Sequence, residues 1–375
     1  MERRPQAILF ASVRCRSTRF ELPQQRFRSR DKGCVHILDE PCANRTDIPS
    51  DDYDSLVHIY TLDQNETYNT LSSWRKLMND HSNRTNADPR LILTEAYTNH
   101  ERTIKYYSSG SNVPFNFMFI TELNNRSTAA DYKNLIDMWV STVPNGSVPN
   151  WVVGNHDNHR VASRFGTGRA NMIIQMAMVL PGIAVIYNGD EIGMIDRPFT
   201  YKETVDPAGC NAGPTRYFVK SRDPERTPFQ WDNSTSAGFS TSTKTWLPVH
   251  PNYKTLNLEA QKKETSSPYK LFKHLMNMKK RPVIASGSLN VAVLDKQVLG
   301  ITRTLGSETV IVMLNFGSEP VTVNARASLP VPPALVLHAI DIDSHLRPGT
   351  MAFTNSITVP AYASVMYTSP NIYRS

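Results

Sequence analysis

Four short apolar runs alternate with helix-like segments between residues 90 and 187, and this alternation constrains the fold more than any other feature. The runs lie at about residues 90–94, 115–120, 150–154 and 183–187. The stretches "TAADYKNLIDMWVSTV" and "RANMIIQMAMVL" between them carry apolar residues at helical spacing. Strands that alternate with helices predict parallel βα units. Polar residues cluster directly after each run, which is the polarity of the active face of a (β/α) barrel.

Two further helices are predicted outside these units. The segment from Ser50 onwards begins with acidic residues typical of a helix start, and Leu71, Trp74 and Leu77 then fall on one helical face. A second helix is predicted at about residues 268–280.

From about residue 285 the pattern changes to β-structure alone. Seven apolar runs separated by Gly, Ser and Pro turns predict a β-sandwich of about 90 residues. The predicted fold class is therefore α/β, with part of a (β/α) barrel followed by an all-β sandwich. The predicted parts are a basic leader of unknown origin (1–37), a partial barrel domain (38–284) and the sandwich domain (285–375).

The net charge of +7 does not indicate a nucleic-acid partner, because nine basic and three acidic residues lie within the first 33. The rest of the chain is close to neutral. The leader fits an organelle-targeting segment, a solvated tail or sequence foreign to the original protein, and it has no signal-peptide apolar region. No apolar run approaches the roughly 20 residues of a membrane span. The cysteines fit no metal pattern, so neither a metal nor a cofactor is expected.

Two carboxylates follow predicted strands: Glu95 after "LILT" and Asp157 after "VVGNH". Hydrolysis of a glycosidic bond needs one carboxyl group as proton donor and carboxylate charge to stabilise an oxocarbenium-like centre. Each residue alone is typical of an ordinary loop. Asn155 and His156 directly precede Asp157, however, and three hydrogen-bonding groups of different types suit a polyol ligand.

Five stretches together resemble insect maltases, which are α-glucosidases of the α-amylase superfamily (glycoside hydrolase family 13). They are "TEAYTN" (94–99), "WVVGNHDNHRVASRFG" (151–166), "LPGIAVIYNGDEIGM" (180–194), "DPAGCNAG" (206–213) and "SRDPERTPFQWDNSTSAGFS" (221–240). The resemblance runs from about residue 38 to the end of the chain. It implies a (β/α)8 barrel followed by a β-sandwich, and hydrolysis of terminal α-1,4-linked glucose with retention of configuration. It also implies a maltose-like disaccharide or oligosaccharide as substrate and an extracellular location.

The resemblance assigns roles to four of these residues by position. Glu95 resembles the general acid/base, and Asp157 resembles the third carboxylate, which holds sugar hydroxyls. His156 resembles the hydroxyl-binding histidine beside it, and Arg160 resembles the arginine that lines the glucose pocket. With Asn155 they form the predicted site.

In "RTPFQWD" the resemblance implies mainly structural roles near the pocket rim. This interpretation applies to Arg226, Gln230 and Trp231.

The nucleophile of the family is an Asp in a motif resembling G-F-R-x-D, and the sequence contains no such motif. The best substitute is Asp39 in "GCVHILDEP", where Ile37 stands in place of the orienting arginine. The four predicted strands match the second half of the family's barrel. We therefore expect an N-terminally truncated chain that is inactive alone and that self-associates through open barrel edges.

Two alternatives remain. The first is a non-catalytic scaffold or binding protein, like the amylase-like heavy chains of amino-acid transporters. Those chains carry a membrane anchor and usually lose the catalytic carboxylates, whereas Glu95 and Asp157 are present here. The second is a fragment of an amylase or isomaltase of the same superfamily.

Overall fold

The computed structural model describes residues 9–10, 55–340 and 346–373. Asp39 and Ser50, and the predicted leader apart from residues 9–10, lie outside these ranges. Contacts divide the chain into two units, which are Met1–Phe115 with Pro144–Ser147 and Asn116–Val143 with Val148–Ser375. Among the described residues, no helix combines the length and the hydrophobicity that a membrane crossing requires.

Unit 1 contains a three-stranded parallel sheet and two helices. They are β1 (Leu9–Phe10), α1 (Asn65–Thr85), β2 (Ile92–Thr94), α2 (His100–Ser108) and β3 (Val113–Pro114). The strand order is β1-β2-β3. Strands β2 and β3 are parallel neighbours joined by α2, so these three elements form one βαβ unit. The helices pack on the sheet through Tyr68, Leu71, Ile92 and Tyr106.

Helix α1 is present as predicted, but the predicted apolar face is buried only in part. Leu71 lies in the core, whereas Trp74 is 40% exposed and Leu77 is 68% exposed. Tyr68 takes the inward position instead, with its ring centroid 4.8 Å from that of Tyr106. The buried face of α1 therefore starts at Tyr68, about one helical turn before Leu71, where the predicted face started.

Unit 2 begins with helices, a pair of parallel strands and further helices. They are α3 (Met118–Thr121), α4 (Ala129–Thr142), β4 (Asn150–Val152), α5 (Val161–Phe165), α6 (Thr167–Val179), β5 (Ile183–Val185), α7 (Pro207–Ala212), α8 (Tyr217–Lys220), α9 (Leu258–Lys263), α10 (Pro268–Lys279) and α11 (Pro282–Ser286). β4 pairs in parallel with β5, in the register Trp151 to Ala184. A capping box of Thr128 and Asp131 begins α4, and Ser267 caps the first turn of α10.

The prediction of a strand at residues 115–120 was wrong. The strand there is β3, which ends at Pro114, and residues 118–121 form α3. Asn116 causes the change, because its backbone N–H donates to Asn150 Oδ1 (2.8 Å) while its own Oδ1 accepts from the N–H of Met118 (3.1 Å). An asparagine side chain that binds the backbone two residues on favours a turn over a strand.

Helix α6 is buried on all sides. Every residue from 170 to 179 is buried, which is unusual for a helix outside a membrane. It contacts α10 and β5 as well as strands of the C-terminal sheet. Gln175 Oε1 accepts a hydrogen bond of 2.6 Å from Ser364 Oγ, and both residues are buried.

The C-terminal part of unit 2 is antiparallel β-structure. Its elements are β6 (Ser288–Asp295), β7 (Val298–Leu305), β8 (Glu308–Asn315), β9 (Val321–Val323), β10 (Ala334–Ile340), β11 (Met351–Phe353), β12 (Ile357–Val359), β13 (Ser364–Thr368) and α12 (Pro370–Tyr373). One sheet has the order β11-β10-β13-β8-β7-β6, and β12 pairs with β9 in a second. Residues of both sheets share one core, among them Ile311, Val323 and Val359, which is the packing of a sandwich. The predicted boundary at 284/285 falls within α11 and stays a prediction, since contacts place both sides of it in unit 2.

Candidate active site

The end of β4 positions the Asn155–Asp157 segment. Trp151 is fully buried and donates from Nε1 to the carbonyl oxygen of Pro181 at 2.7 Å, which fixes the strand. After Gly154 the chain turns, and Asn155 Oδ1 accepts from the backbone N–H of Asp157 and from Asn158 Nδ2, each at 3.0 Å. This asparagine-centred turn holds the following residues at the carboxyl end of the strand.

Two arginines converge on Asp157. Its Oδ1 accepts from Arg222 Nη1 at 3.0 Å and from Arg226 Nη2 at 2.5 Å. His156 Nε2 lies 3.6 Å from the same oxygen, and Arg226 Nε also donates to the carbonyl oxygen of His156 at 2.6 Å. The Asp157 side chain is 11% exposed. The carboxylate is therefore held at one position by charged donors, while His156 next to it is exposed.

Arg222 in turn is held by Asp206. Its Nη2 and Nε donate to Asp206 Oδ1 (2.7 Å) and Oδ2 (2.8 Å), which makes a bidentate pair. Burial alone would raise the pKa of Asp206, but the hydrogen bonds from Arg222 outweigh burial and lower this pKa to about 2. Asp206 is therefore ionised at neutral pH, and it raises the pKa of Arg222.

Asp223 ties together the two segments that carry this pair. Its Oδ2 accepts from the backbone N–H groups of Val205 (2.8 Å) and Asp206 (3.1 Å) and from Ser221 Oγ (3.1 Å). The conformation that presents Arg222 to Asp157 is consequently built from a buried polar network rather than from regular secondary structure.

Arg160, predicted to line the pocket, is 1% exposed. Its Nη1 donates to the carbonyl oxygen of Asn188 at 2.6 Å, and its guanidinium lies 4.9 Å from the ring centroid of Tyr187. Gly189, with φ of 100°, makes room for it, since a Cβ there would stand 2.6 Å from Arg160 Nη1. In this structure Arg160 supports the turn after β5.

Asp190 in the same turn is buried, and neither of its carboxylate oxygens has a hydrogen-bond partner. Burial raises the pKa of Asp190 to about 7, an effect that the charge of Arg160 only partly offsets. A carboxyl group in such surroundings is protonated in part of the molecules near neutral pH.

Glu95 belongs to unit 1 and follows β2 directly. It is partly buried. The preceding Thr94 is buried, and its hydroxyl forms a hydrogen bond of 2.9 Å with Ser111 Oγ. Of the predicted site residues, Asn155, His156 and Asp157 lie together in unit 2, whereas Glu95 belongs to unit 1.

The sequence interpretation missed Arg222 and assigned Arg226 a structural role. Both residues stand in "SRDPER", two basic residues that flank acidic ones in a segment without helical or strand periodicity. That charge pattern is the one signal that points to a buried ion-pair network. Gln230, for which a structural role was expected, is fully buried and donates to Asn252 Oδ1 at 3.0 Å.

One group of side chains among the described residues has ligand atoms close enough to hold a metal ion. It consists of His159, Asp196 and Glu225. The hydrogen bond with Asp196 raises the pKa of His159, while burial raises the pKa of Glu225 to about 7.

The sequence profile described as "Alpha amylase, catalytic domain" matches residues 34–287. The chain is 42% identical over 314 residues to an alpha-glucosidase of Apis mellifera, covering 84% of this chain and 54% of that protein. It is 42% identical over 293 residues to Maltase A1 of Drosophila melanogaster, covering 76% and 51%. It is also 30% identical over 302 residues to the amino acid transporter heavy chain SLC3A1 of Homo sapiens, covering 76% and 41%. The chain spans about half the length of the curated relatives it matches.

Solved structures with the same fold include the trehalulose synthase MutB from Pseudomonas mesoacidophila, with a TM-score of 0.67 and 24% identity. An isomaltulose synthase from Klebsiella has a TM-score of 0.67 and 20% identity. Each alignment covers 81% of this chain and 59% of the other. The predicted fold class, α/β with barrel-type units followed by a sheet-rich antiparallel domain, is confirmed.

Proposed function

Since the chain belongs to the family of alpha-amylase catalytic domains, we propose that it carries part of the active site of an α-glucosidase. The proposed reaction is hydrolysis of terminal α-1,4-linked glucose from maltose-like substrates with retention of configuration. The proposed location is extracellular, in keeping with relatives named salivary alpha-glucosidases.

The observation that carries this proposal is the position of Asp157. Its carboxylate stands at the end of a buried strand, is held by Arg222 and Arg226, and has the exposed imidazole of His156 beside it. A fixed carboxylate next to an exposed hydrogen-bonding ring suits two neighbouring hydroxyl groups of a sugar. Because the two arginines constrain the carboxylate, it is pre-oriented before the ligand arrives.

In this proposal each residue has a distinct role. Glu95 donates the proton to the leaving oxygen, and Asp157 and His156 bind hydroxyl groups of the glucose unit and favour its distorted form. Asn155 orients Asp157 by accepting a hydrogen bond from the backbone N–H of Asp157. Arg160 supports the neighbouring turn through its bond to the carbonyl oxygen of Asn188.

We further propose that this chain alone hydrolyses glucosides several orders of magnitude more slowly than a complete retaining enzyme. The sequence holds no segment that resembles the nucleophile motif, and without a nucleophile no covalent glycosyl intermediate forms.

Ligand binding tests the proposed site. Maltose at millimolar concentration should raise the melting temperature of the 375-residue chain, and Asp157→Asn should abolish the rise. The exposed Asp137 offers a matched control, because Asp137→Asn should leave the rise unchanged. A well-folded chain that maltose and glucose do not stabilise would contradict the proposal.

Activity is a separate question, tested with a chromogenic α-glucoside. Measurable turnover that Glu95→Gln removes would support the assigned roles and refute the inactivity of this chain. Turnover that is unchanged in Glu95→Gln would overturn the role of Glu95.

We also propose that the chain self-associates. Trp74 and Leu77 on α1 are exposed although both are large and apolar, and such side chains favour association. Sedimentation at micromolar concentration should show dimers or larger species, and a monodisperse monomer would contradict this.

The alternative function is that of a non-catalytic scaffold, supported by the 30% identity to the transporter heavy chain. A scaffold requires no sugar site. Stabilisation by maltose that depends on Asp157 would therefore argue against it.

A further inference from the structure

His159, Asp196 and Glu225 face one another although they come from three separate segments of unit 2. His159 Nδ1 lies 2.8 Å from Asp196 Oδ2 and 3.6 Å from Glu225 Oε2. All three ligand atoms lie within 4.8 Å of one another. The cluster joins the segment after β4 to the loop after β5 and to the "SRDPER" segment.

Groups outside the cluster hold the carboxylate of Asp196 and the backbone of Glu225. Asp196 Oδ1 accepts from the backbone N–H of Arg160 at 2.9 Å, and the N–H of Asp196 donates to Ser163 Oγ at 2.8 Å. The hydroxyl of Tyr187 donates to the carbonyl oxygen of Glu225 at 3.1 Å. Asp196 is thus oriented with its second oxygen directed at the imidazole.

Glu225 is the residue that an ordinary hydrogen-bonded cluster does not explain. Its side chain is 2% exposed, and Oε2 has no hydrogen-bond partner. A buried carboxylate oxygen without a donor is costly, because burial removes its water without replacement. An imidazole–carboxylate hydrogen bond accounts for His159 and Asp196, but it leaves Glu225 Oε2 directed at the same nitrogen from 3.6 Å.

We propose that His159, Asp196 and Glu225 bind a divalent transition-metal ion of the Zn²⁺ type. One imidazole nitrogen and two carboxylate oxygens form a ligand set that Zn²⁺ accepts, whereas Ca²⁺ requires six to eight oxygens. Tetrahedral bonds of about 2.0–2.2 Å place ligand atoms roughly 3.3–3.6 Å apart. The His159–Glu225 separation already matches that spacing. The imidazole would move away from Asp196 by less than about 1 Å, and the two carboxylate oxygens, which lie within 4.8 Å of each other, would close to the same spacing. Two carboxylates and a neutral imidazole also balance the charge of the ion.

This ion would have a structural role and would not itself contact the sugar. Glu225 directly precedes Arg226, which binds Asp157, and His159 follows Asp157 by two residues. The ion would therefore fix the "SRDPER" loop to the strand end that carries Asp157. The half-exposed His159 side chain leaves solvent access for a water molecule in the fourth position.

The test uses the 375-residue chain, stripped with a chelator and titrated with Zn²⁺ against a fluorescent zinc indicator. We expect one tight site whose occupancy raises the melting temperature. His159→Ala and Glu225→Gln should each weaken binding at least tenfold, whereas His81→Ala and Glu203→Gln, at exposed positions, should not. His159 is itself exposed, so its variant remains informative if Glu225→Gln does not fold.

Three outcomes would overturn the proposal. One is a folded wild-type chain without a tight Zn²⁺ site. Another is equal affinity in His159→Ala, which would place the ion elsewhere. The third is Ca²⁺ displacing Zn²⁺ at equal concentration.

Discussion

Arg222 and Asp206 form a bidentate ion pair, with Nη2–Oδ1 and Nε–Oδ2 distances of 2.7 and 2.8 Å. The remaining guanidinium nitrogen, Nη1, donates to Asp157. Asp157 is therefore held by an arginine that is itself anchored, and by Arg226, which also binds the backbone of His156.

The first prediction concerns the two arginines. Arg222→Met should destabilise the chain by about 3–5 kcal/mol, because it leaves Asp206 buried without a charge partner. Arg226→Met should cost only about 1–2 kcal/mol, since Asp157 keeps its bond to Arg222. Denaturant unfolding at pH 7 measures both, with the exposed Arg126→Met as a control. Equal losses in the two variants would contradict the anchoring role of Arg222.

The second prediction is a pH dependence at Asp206. Folding lowers the pKa of Asp206 from 3.8 to about 2. This stabilisation is complete above the ordinary pKa and disappears as the pH falls from about 4 to about 2. The stability difference between wild type and Asp206→Asn should therefore shrink over that window. A difference that stays constant from pH 6 to pH 2 would show that Arg222 does not stabilise the charged form.

The third prediction has the opposite sign and concerns Asp190. Folding raises the pKa of Asp190 from 3.8 to about 7, so its contribution to stability declines as the pH rises from about 4 to 7. Asp190→Asn removes this decline. The variant should gain on the wild type by roughly 1.4 kcal/mol for each pKa unit of the shift when stability at pH 8 is compared with pH 4.

The same comparison with the exposed Asp88→Asn serves as a control. A variant that gains nothing on the wild type between pH 4 and pH 8 would mean that Asp190 is ionised throughout.

The fourth prediction concerns Gly189. Gly189→Ala places a Cβ 2.6 Å from Arg160 Nη1 and 2.7 Å from Met194 Sδ, at a φ of 100°. Gly146→Ala meets nothing within 4 Å at a φ of 82°, so it measures backbone strain alone, about 1 kcal/mol. Gly189→Ala should cost at least about 1–2 kcal/mol more. Similar melting temperatures for the two variants would show that the turn yields easily.

Regular elements were predictable where periodicity and turn residues agree. The strands β6, β7 and β10 begin and end at the predicted residues, because each apolar run is bounded by turn residues. Strand β11 was not predicted, because it is short and its residues Met351 and Phe353 are exposed.

The candidate site was predictable in part for a related reason. Asn155, His156 and Asp157 lie directly after a recognisable strand, so their proximity follows from the chain itself. Arg222 contacts Asp157 across 65 positions of sequence and stands in a segment without periodicity. The polar network around Asp223 determines its place, and hydrogen bonds of that kind leave no repeating signature in a sequence.

The burial of α6 ties the helical part of unit 2 to its antiparallel sheet. This helix contacts strand β5, helix α10 and the antiparallel sheet, and a side-chain hydrogen bond links Gln175 to Ser364. Removing the sheet at about residue 285 would expose part of a helix in which every residue from 170 to 179 is buried. Evolutionary replacement of the sheet by another domain would thus require a new packing partner for α6. The antiparallel sheet therefore contributes to the hydrophobic core of the segment that precedes it.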